Sequence, residues 1–168
     1  MIKRTFFAFF VFTCLTIDLF GQSKSDSLSG VWQDMPYIAS GWSNTYQFFS
    51  DGTFRFNYNQ MDCSKRLISK SGDWTILDTV NLRLSIDNYK IIKGGKLIDS
   101  DGSCATEKMI EGGEIQDSIP ANATIEEHTI SNIFSIGLLD FNGDTINMQA
   151  LGIDSVLFFQ INNDPSFY

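Results

Sequence analysis

The chain has 168 residues, which suits one domain, and its formal net charge is -8 at pH 7. An acidic surface repels phosphate backbones and anionic lipids. The sequence also contains no basic run with interleaved aromatic residues. Composition and charge therefore exclude a typical nucleic-acid-binding protein, and we predict no nucleic-acid partner.

The N-terminal segment, residues 1–21, has the pattern of a signal peptide. Lys3 and Arg4 form a short basic start, and the apolar run that follows them, Thr5 to Ile17, is shorter than a membrane span. We expect cleavage after Gly21. The mature protein is then exported, either secreted, periplasmic or on the outer surface, and we expect no transmembrane span in it.

The mature chain is predicted to begin with a polar tether, residues 22–29, which leads into one domain over residues 30–168. A lipid attached at Cys14 is the alternative to cleavage. Lipoprotein signals need small residues before the cysteine, and this chain has Val11-Phe12-Thr13 there. We therefore favour cleavage after Gly21.

Two cysteines, Cys63 and Cys104, remain once the leader is removed, and an exported protein enters a compartment that permits disulfides. We predict that the two form one bridge. Two separate buried thiols are the alternative.

From Gly30 onward the apolar residues recur with a period of two, which is typical of β-strands. In VNLRLSI, for example, one face carries Val80, Leu82, Leu84 and Ile86. The segments TINMQAL and SVLFFQI behave similarly, and no segment carries a capped apolar stripe of helical period. Turn signals separate these runs at Asp51-Gly52, Gly94-Gly95, Asp101-Gly102, Gly112-Gly113 and Asn142-Gly143. We predict an all-β domain of roughly eight to ten antiparallel strands, either a closed barrel or a sandwich, with a long loop over residues 112–123.

The stretch YQFFSDGTFRFNY, Tyr46 to Tyr58, is typical of a β-hairpin. A two-residue turn would place aromatic rings on both faces of the sheet. A three-residue loop with Gly52 left-handed instead pairs Phe48 with Phe54. We predict this loop, because a slip of one residue would move the apolar side chains out of the core. One face then carries Tyr46, Phe48, Phe54, Phe56 and Tyr58, and Phe49 stays on the polar side.

Three short motifs resemble the small lipocalin-like domains of exported bacterial proteins. Gly30 and Trp32 match a Gly-x-Trp first strand, DGTF at residues 51–54 matches the hairpin, and Gly72 with Trp74 matches a second Gly-x-Trp strand. The closing segment NGDTINMQALGIDSVLFFQI is similar to the last hairpin of such domains, whereas residues 89–131 are longer than the pattern. The resemblance implies an up-and-down β-barrel whose open end takes a small apolar molecule.

The resemblance also assigns structural roles. Trp32 resembles the tryptophan that plugs the closed end of lipocalin barrels. We expect Trp74 in the core and Gly52 in the hairpin turn. Trp42 lies in the loop ASGWSN, where it either covers the mouth of the barrel or packs locally.

The aromatic face of the hairpin is the candidate ligand-binding site, made of Tyr46, Phe48, Phe54, Phe56 and Tyr58 with Trp42 at the mouth. The alternative is that these rings simply fill the core, because aromatic side chains bury the largest area per residue. The hydroxyls of Tyr46 and Tyr58 favour contact with solvent or a ligand, since a buried hydroxyl needs a hydrogen-bond partner.

The sequence offers little catalytic chemistry. His128 is the only histidine, and neither a Gly-x-Ser-x-Gly motif nor a phosphate-binding glycine loop is present. Glu127 and His128 would point to opposite faces of a strand, so residues 126–128 are interpreted as a solvated polar strand. Residues 99–103 lack the spacing of an EF-hand calcium loop. We therefore predict no enzymatic activity, no cofactor and no metal site.

The leading hypothesis is an exported, non-enzymatic, lipocalin-like protein that binds a small apolar or amphipathic ligand inside the barrel. The alternative is a filled β-barrel that acts as a protein-interaction module for a partner at the cell surface. A solvent-reached cavity beside Tyr46, Phe56, Tyr58 or Trp42 would favour the first. An exposed apolar patch without such a cavity would favour the second.

Overall fold

The described residues fold into one antiparallel β-sheet of ten strands, which confirms the predicted all-β class and strand number. The computed structural model describes residues 27–37, 40–102, 104–140 and 142–167, so the predicted signal peptide lies outside the described residues. The strands are β1 Gly30–Gln33, β2 Thr45–Phe48, β3 Thr53–Asn57, β4 Leu67–Ile76, β5 Asn81–Asp99, β6 Lys108–Ser118, β7 Thr124–Thr129, β8 Phe134–Leu139, β9 Thr145–Ile153 and β10 Val156–Asn162. Short 3-10 helices occupy Ser40–Trp42 and Pro165–Phe167.

The strand order follows the chain in the up-and-down manner, with β1 pairing with β10. The order across the sheet is β6-β5-β4-β3-β2-β1-β10-β9-β8, and β7 pairs with the first part of β5, beside β6. A barrel closed by a continuous ladder, as the resemblance implied, is not formed. In the described part of the chain, β7 and β9 meet at a seam, where one bridge joins Ile130 to Ile153 and the backbone N–H of Ser131 donates to Gly152 O at 3.0 Å.

The hairpin between β2 and β3 has the predicted register. Phe48 faces Phe54 and Tyr46 faces Phe56, and the N–H of Phe49 donates to Thr53 O at 2.9 Å to close a three-residue loop. Gly52 in that loop has φ 89°, a conformation that glycine adopts without steric cost. The loop chemistry therefore places the aromatic residues on the core face, as the sequence predicted.

The core is built from the inward faces of strands on both sides of the seam. Leu82, Leu84 and Ile86 are fully buried, as the period-two pattern predicted, but Val80 precedes β5 and is 49% exposed. The prediction for Val80 was wrong because the strand begins one residue later. The buried core residues are Leu28, Trp32, Tyr46, Phe48, Phe54, Phe56, Trp74, Leu82, Leu84, Ile86, Ile130, Leu151, Ile153 and Phe158.

Strands β1 and β2 are buried along their whole length on both faces. On the outer face, Gln47 Nε2 donates to Pro165 O at 2.7 Å, which fastens the C-terminal 3-10 helix across this pair of strands. Gln160 Nε2 donates to Ser29 O at 3.1 Å in the same region. Gln47 is buried and its amide is satisfied, so a glutamine replaces an apolar side chain at this position.

The predicted long loop over residues 112–123 was wrong, because residues up to Ser118 belong to β6. The two glycine pairs that suggested turns lie opposite each other, with Gly94 paired to Gly113. Gly94 and Gly95 have φ 71°, so they bend the hairpin while the pairing continues beyond them. We call the distal part of this hairpin the arm. It consists of the residues of β5 that follow Ile92, the residues of β6 that pair with them, and the loop that connects the two strands.

The predicted disulfide between Cys63 and Cys104 is confirmed, with the two Cα atoms 6.0 Å apart. It joins the β3–β4 loop to the loop at the tip of the arm. Two backbone bonds support it, because Ala105 N–H donates to Met61 O and Ile110 N–H to Cys63 O, each at 3.0 Å. The bent arm is therefore fastened back onto the body of the sheet.

Replacing both cysteines with serine is expected to lower the free energy of unfolding by roughly 3 kcal/mol, because the bridge closes a loop of 41 residues in the unfolded chain. Urea unfolding followed by tryptophan fluorescence measures this change. The same protein treated with a reductant is the control, and it should unfold at the midpoint of the double variant. An unchanged midpoint in both samples contradicts the prediction.

Candidate functional site

The predicted aromatic face packs on itself in the core. Tyr46, Phe48, Phe54 and Phe56 are all at most 8% exposed. The ring of Tyr46 lies 4.4 Å from that of Phe56 and 5.2 Å from that of Phe48, and Phe48 contacts Trp74 edge-on at 5.5 Å. These separations are those of aromatic pairs in protein interiors. Tyr46, Phe48 and Phe56 therefore pack against other rings, whereas Phe54 also borders an open groove of about 310 Å³ beside Phe49 and Thr53.

Tyr58 differs from the other aromatic residues of this face. It is half-buried and borders an open groove of about 220 Å³ on the side of the β2–β3 hairpin, lined by Gly41, Ser43, Thr45, Asn57, Tyr58, Gln60 and Ile68. Lys65 Nζ lies 4.2 Å above its ring. Burial, with the charge of Glu126 as a smaller cause, raises the pKa of the Tyr58 hydroxyl. Trp42 is 55% exposed, so its ring is not packed into the core.

The residues predicted to be structural lie in the core or in the hairpin turn. Trp32 is fully buried, and its Nε1 donates to Leu28 O at 2.7 Å. Trp74 is 5% exposed, and its Nε1 donates to Phe49 O at 3.1 Å. Each indole therefore buries its ring while its N–H is satisfied by a backbone carbonyl.

A charged cluster, which we call the clasp, lies at the seam and consists of Lys70, Glu126, His128 and Asp154. Lys70 Nζ forms an ion pair with Glu126 Oε2, and its side chain is only 8% exposed. His128 lies between two carboxylates, with Nε2 3.2 Å from Glu126 Oε2 and Nδ1 2.5 Å from Asp154 Oδ2. The clasp thus connects β4, β7 and the β9–β10 turn, where the strand ladder is interrupted.

The clasp forms because side chains alternate between the two faces along β7 and its partner β5. Glu126 and His128 are two residues apart on β7, so both face inward, opposite Leu84 and Leu82 of β5. Glu127 faces outward and forms an ion pair with Arg83. The prediction that Glu127 and His128 point apart is confirmed. The inward pair is the feature that the sequence analysis missed.

Within the clasp, the surroundings of Asp154 favour the charged form of its carboxyl group. Partial burial of Asp154 opposes ionisation, but hydrogen bonds from His128 and from the N–H of Thr129 outweigh it and hold the pKa of the carboxyl below its usual range. Burial, followed by the nearby charge of Glu126, raises the pKa of Tyr46. The clasp therefore holds an ionised Asp154 carboxylate, and the Tyr46 phenol on its core side is neutral.

The clasp is better suited to cross-linking strands than to catalysis. Each ring nitrogen of His128 already faces a carboxylate, so neither nitrogen is open to a substrate.

An open groove of about 560 Å³ borders Asp154 and is lined by Thr129, Ile130, Ser131, Gly152, Asp154 and Ser155. The described residues contain no group of three or more His, Cys, Asp or Glu side chains arranged to hold a metal ion.

The hairpin of β8 and β9 carries an apolar face that is only partly covered. Ile136 pairs with Met148 and Leu138 with Ile146, so these side chains share one face. Ile146 and, further along the same face, Phe134 are each 43% exposed. The sequence correctly placed Ile146, Met148 and Ala150 together, but only Ala150 is fully buried.

The edges of the sheet differ in chemistry. Among the described residues, β6, β7 and β8 each pair with one strand only, and the other side of β7 lies at the seam, which leaves β6 and β8 as the outer edges. Strand β6, KMIEGGEIQDS, carries four charged residues and the bend of the arm, and both features discourage pairing with another chain. Strand β8, FSIGLL, has neither a charge nor a proline. It is therefore the less protected edge.

Comparison with protein-family models, with curated proteins and with solved structures gave no match for this chain. Within the described residues, no helix has the length and apolar character needed to cross a membrane.

Proposed function

We propose that the protein is an exported, non-enzymatic, lipocalin-like domain that acts as a protein-interaction module through the apolar face of its β8–β9 hairpin. The observation that carries the proposal is the exposure of this face, which includes Phe134 and Ile146, each 43% exposed. Exposed contiguous apolar surface is typical of sites where proteins bind other proteins. The disulfide between Cys63 and Cys104 supports export, because such bonds persist in oxidising compartments.

The filled core supports an outward-facing role. Tyr46 contacts Phe48 and Phe56, and none of these three rings lines the open grooves at Asp154 and at Tyr58. A ligand beside these rings would have to displace core side chains, at a cost of several kcal/mol. The hairpin face needs no such rearrangement to bind a partner.

Site-specific photo-crosslinking in the exporting cell tests the proposal. A photo-reactive residue at position 146 should give one discrete crosslinked protein, because that side chain lies on the apolar face. The same residue at position 147 is the matched control, since Asn147 is exposed on the opposite face of the same strand. The variant Met148→Lys should abolish the crosslink from position 146. Equal crosslinking from both positions, or none from 146, overturns the proposal.

A small apolar ligand is a second candidate, favoured by the position of Tyr58 on the groove of about 220 Å³. Native mass spectrometry of the mature protein, before and after organic extraction, tests this function. A discrete mass that is lost on extraction, and that is absent from the variant Tyr58→Ala, supports a bound ligand. A mass equal to that of the mature, disulfide-bonded chain in both spectra contradicts it.

A further inference from the structure

We infer that the free edge of β8 pairs with the β8 of a second copy of this chain, in an antiparallel arrangement about Gly137. The inference rests on the proposed function, in that the β8–β9 hairpin is again the contact surface. It goes further by naming the partner of the strand edge and the register of the pairing.

The backbone geometry leaves three residues of β8 ready to pair. Asp140 N–H donates to Asp144 O at 2.8 Å at the closed end of the hairpin. Since hydrogen-bonding residues alternate along an antiparallel ladder, Leu138, Ile136 and Phe134 direct their N–H and C=O groups to β9. Ser135, Gly137 and Leu139 therefore direct theirs away from β9, towards the free edge. Unpaired backbone groups in a row are a template for another strand.

These three residues are self-complementary. In an antiparallel pair centred on Gly137, Ser135 of one copy faces Leu139 of the other, and Gly137 faces its own counterpart. Every outward-directed N–H then meets an outward-directed C=O. The register that satisfies the hydrogen bonds is therefore also the one that a two-fold axis requires.

The lack of charge on β8 and β9 allows a second copy of this acidic chain to approach at this edge. The chain has a net charge of -8, so two copies repel each other over most of their surfaces. Strand β8 and its partner β9 carry no charged residue. In the pairing centred on Gly137, the two Asp140 carboxylates lie about 20 Å apart, because each residue advances a strand by about 3.4 Å. This separation exceeds the Debye length of about 8 Å at physiological ionic strength, so their repulsion is screened.

Pairing would also extend the apolar face. Phe134, Ile136 and Leu138 lie on the same side of β8 as Ile146 and Met148 of β9. Two hairpins joined edge to edge would form a four-stranded surface with this face continuous across the two-fold axis. Edge β6 offers no equivalent, because its charges and its bend interrupt the strand.

A charge-swap experiment tests the register. The double variant Ser135→Glu, Leu139→Glu places glutamates opposite each other at both ends of the pairing. The matched variant Ser135→Glu, Leu139→Lys places each glutamate opposite a lysine. Both variants change the same exposed positions, and both lose the bond from Gln149 Nε2 to Ser135 Oγ. Sedimentation velocity over a range of protein concentrations measures the dimer dissociation constant, and circular dichroism confirms that both variants are folded.

We expect the native protein to dimerise, and the dissociation constant of the Glu/Glu variant to be at least about tenfold higher than that of the Glu/Lys variant. Equal dissociation constants for the two variants overturn the inference, because dimerisation would then use another surface. A native protein that stays monomeric also overturns it. If the native protein is monomeric but the photo-reactive residue at position 146 crosslinks to a different protein, the dimer inference fails and the proposed function is still supported.

Discussion

The variant Gly72→Ala is expected to lose the native fold, with a destabilisation of at least about 4 kcal/mol. A Cβ atom at position 72 would lie 2.0 Å from the carbonyl oxygen of Ser85. Ser85 belongs to β5, which is paired at this point with Asp73 of β4 on one side and Ile125 of β7 on the other. The oxygen cannot move without disturbing both ladders, so the overlap is not relieved cheaply.

Thermal unfolding followed by near-ultraviolet circular dichroism measures this effect. The control is Gly52→Ala, because a Cβ atom there meets no atom within 4 Å, although φ is 89°. That variant should lose only about 1 kcal/mol from the strained turn conformation. Equal melting temperatures for the two variants would show that the close approach at Gly72 is relieved by movement of β4.

The variant Glu126→Ala is expected to lower the free energy of unfolding by about 4 kcal/mol. It leaves the ammonium of Lys70, whose side chain is 8% exposed, without its ion-pair partner, and it removes one of the two carboxylates that face His128. A buried charge without a partner costs several kcal/mol. The loss also weakens the seam, where one bridge between Ile130 and Ile153 and a few backbone hydrogen bonds beside it join β7 to β9.

The neighbouring variant Glu127→Ala is the matched control for urea unfolding. Glu127 pairs with Arg83 on the outer face, where the two side chains are 57% and 46% exposed, so its removal should cost less than about 1 kcal/mol. A second variant, Lys70→Met added to Glu126→Ala, should recover part of the lost stability because it removes the unpaired charge. If Glu126→Ala and Glu127→Ala unfold at the same urea concentration, the clasp does not hold the seam.

The local features of the fold could be predicted from the sequence because they depend on neighbouring residues. Alternation placed Leu82, Leu84 and Ile86 inside, and the Asp51-Gly52 turn set the register of the β2–β3 hairpin. The glycines at 94 and 113 gave the same turn signal, but they face each other within a ladder. A glycine pair bends a hairpin in one setting and ends a strand in another, and the difference depends on the partner strand.

The candidate site depended on residues that are distant along the chain. Lys70 and Glu126 are 56 positions apart, and no local pattern indicates that β4 and β7 place them together. One signal was present, because Lys70 shares the inward face of β4 with Trp74, and a lysine on a core face needs a charged partner. The exposure of Ile146 was hidden for a related reason. A period-two pattern shows which side chains share a face, but not whether anything covers that face.

The pairing of β1 with β10 also has a consequence for how the chain folds. Ser29 and Gln160, which are hydrogen bonded beside this pair, are 131 residues apart. Strand β1 therefore lacks one of its two neighbours until the last strand has been synthesised. Such distant pairing slows folding to milliseconds or longer, since a large loop must close before the contact forms. The sheet of the described residues can therefore be completed only after nearly the whole chain has been synthesised.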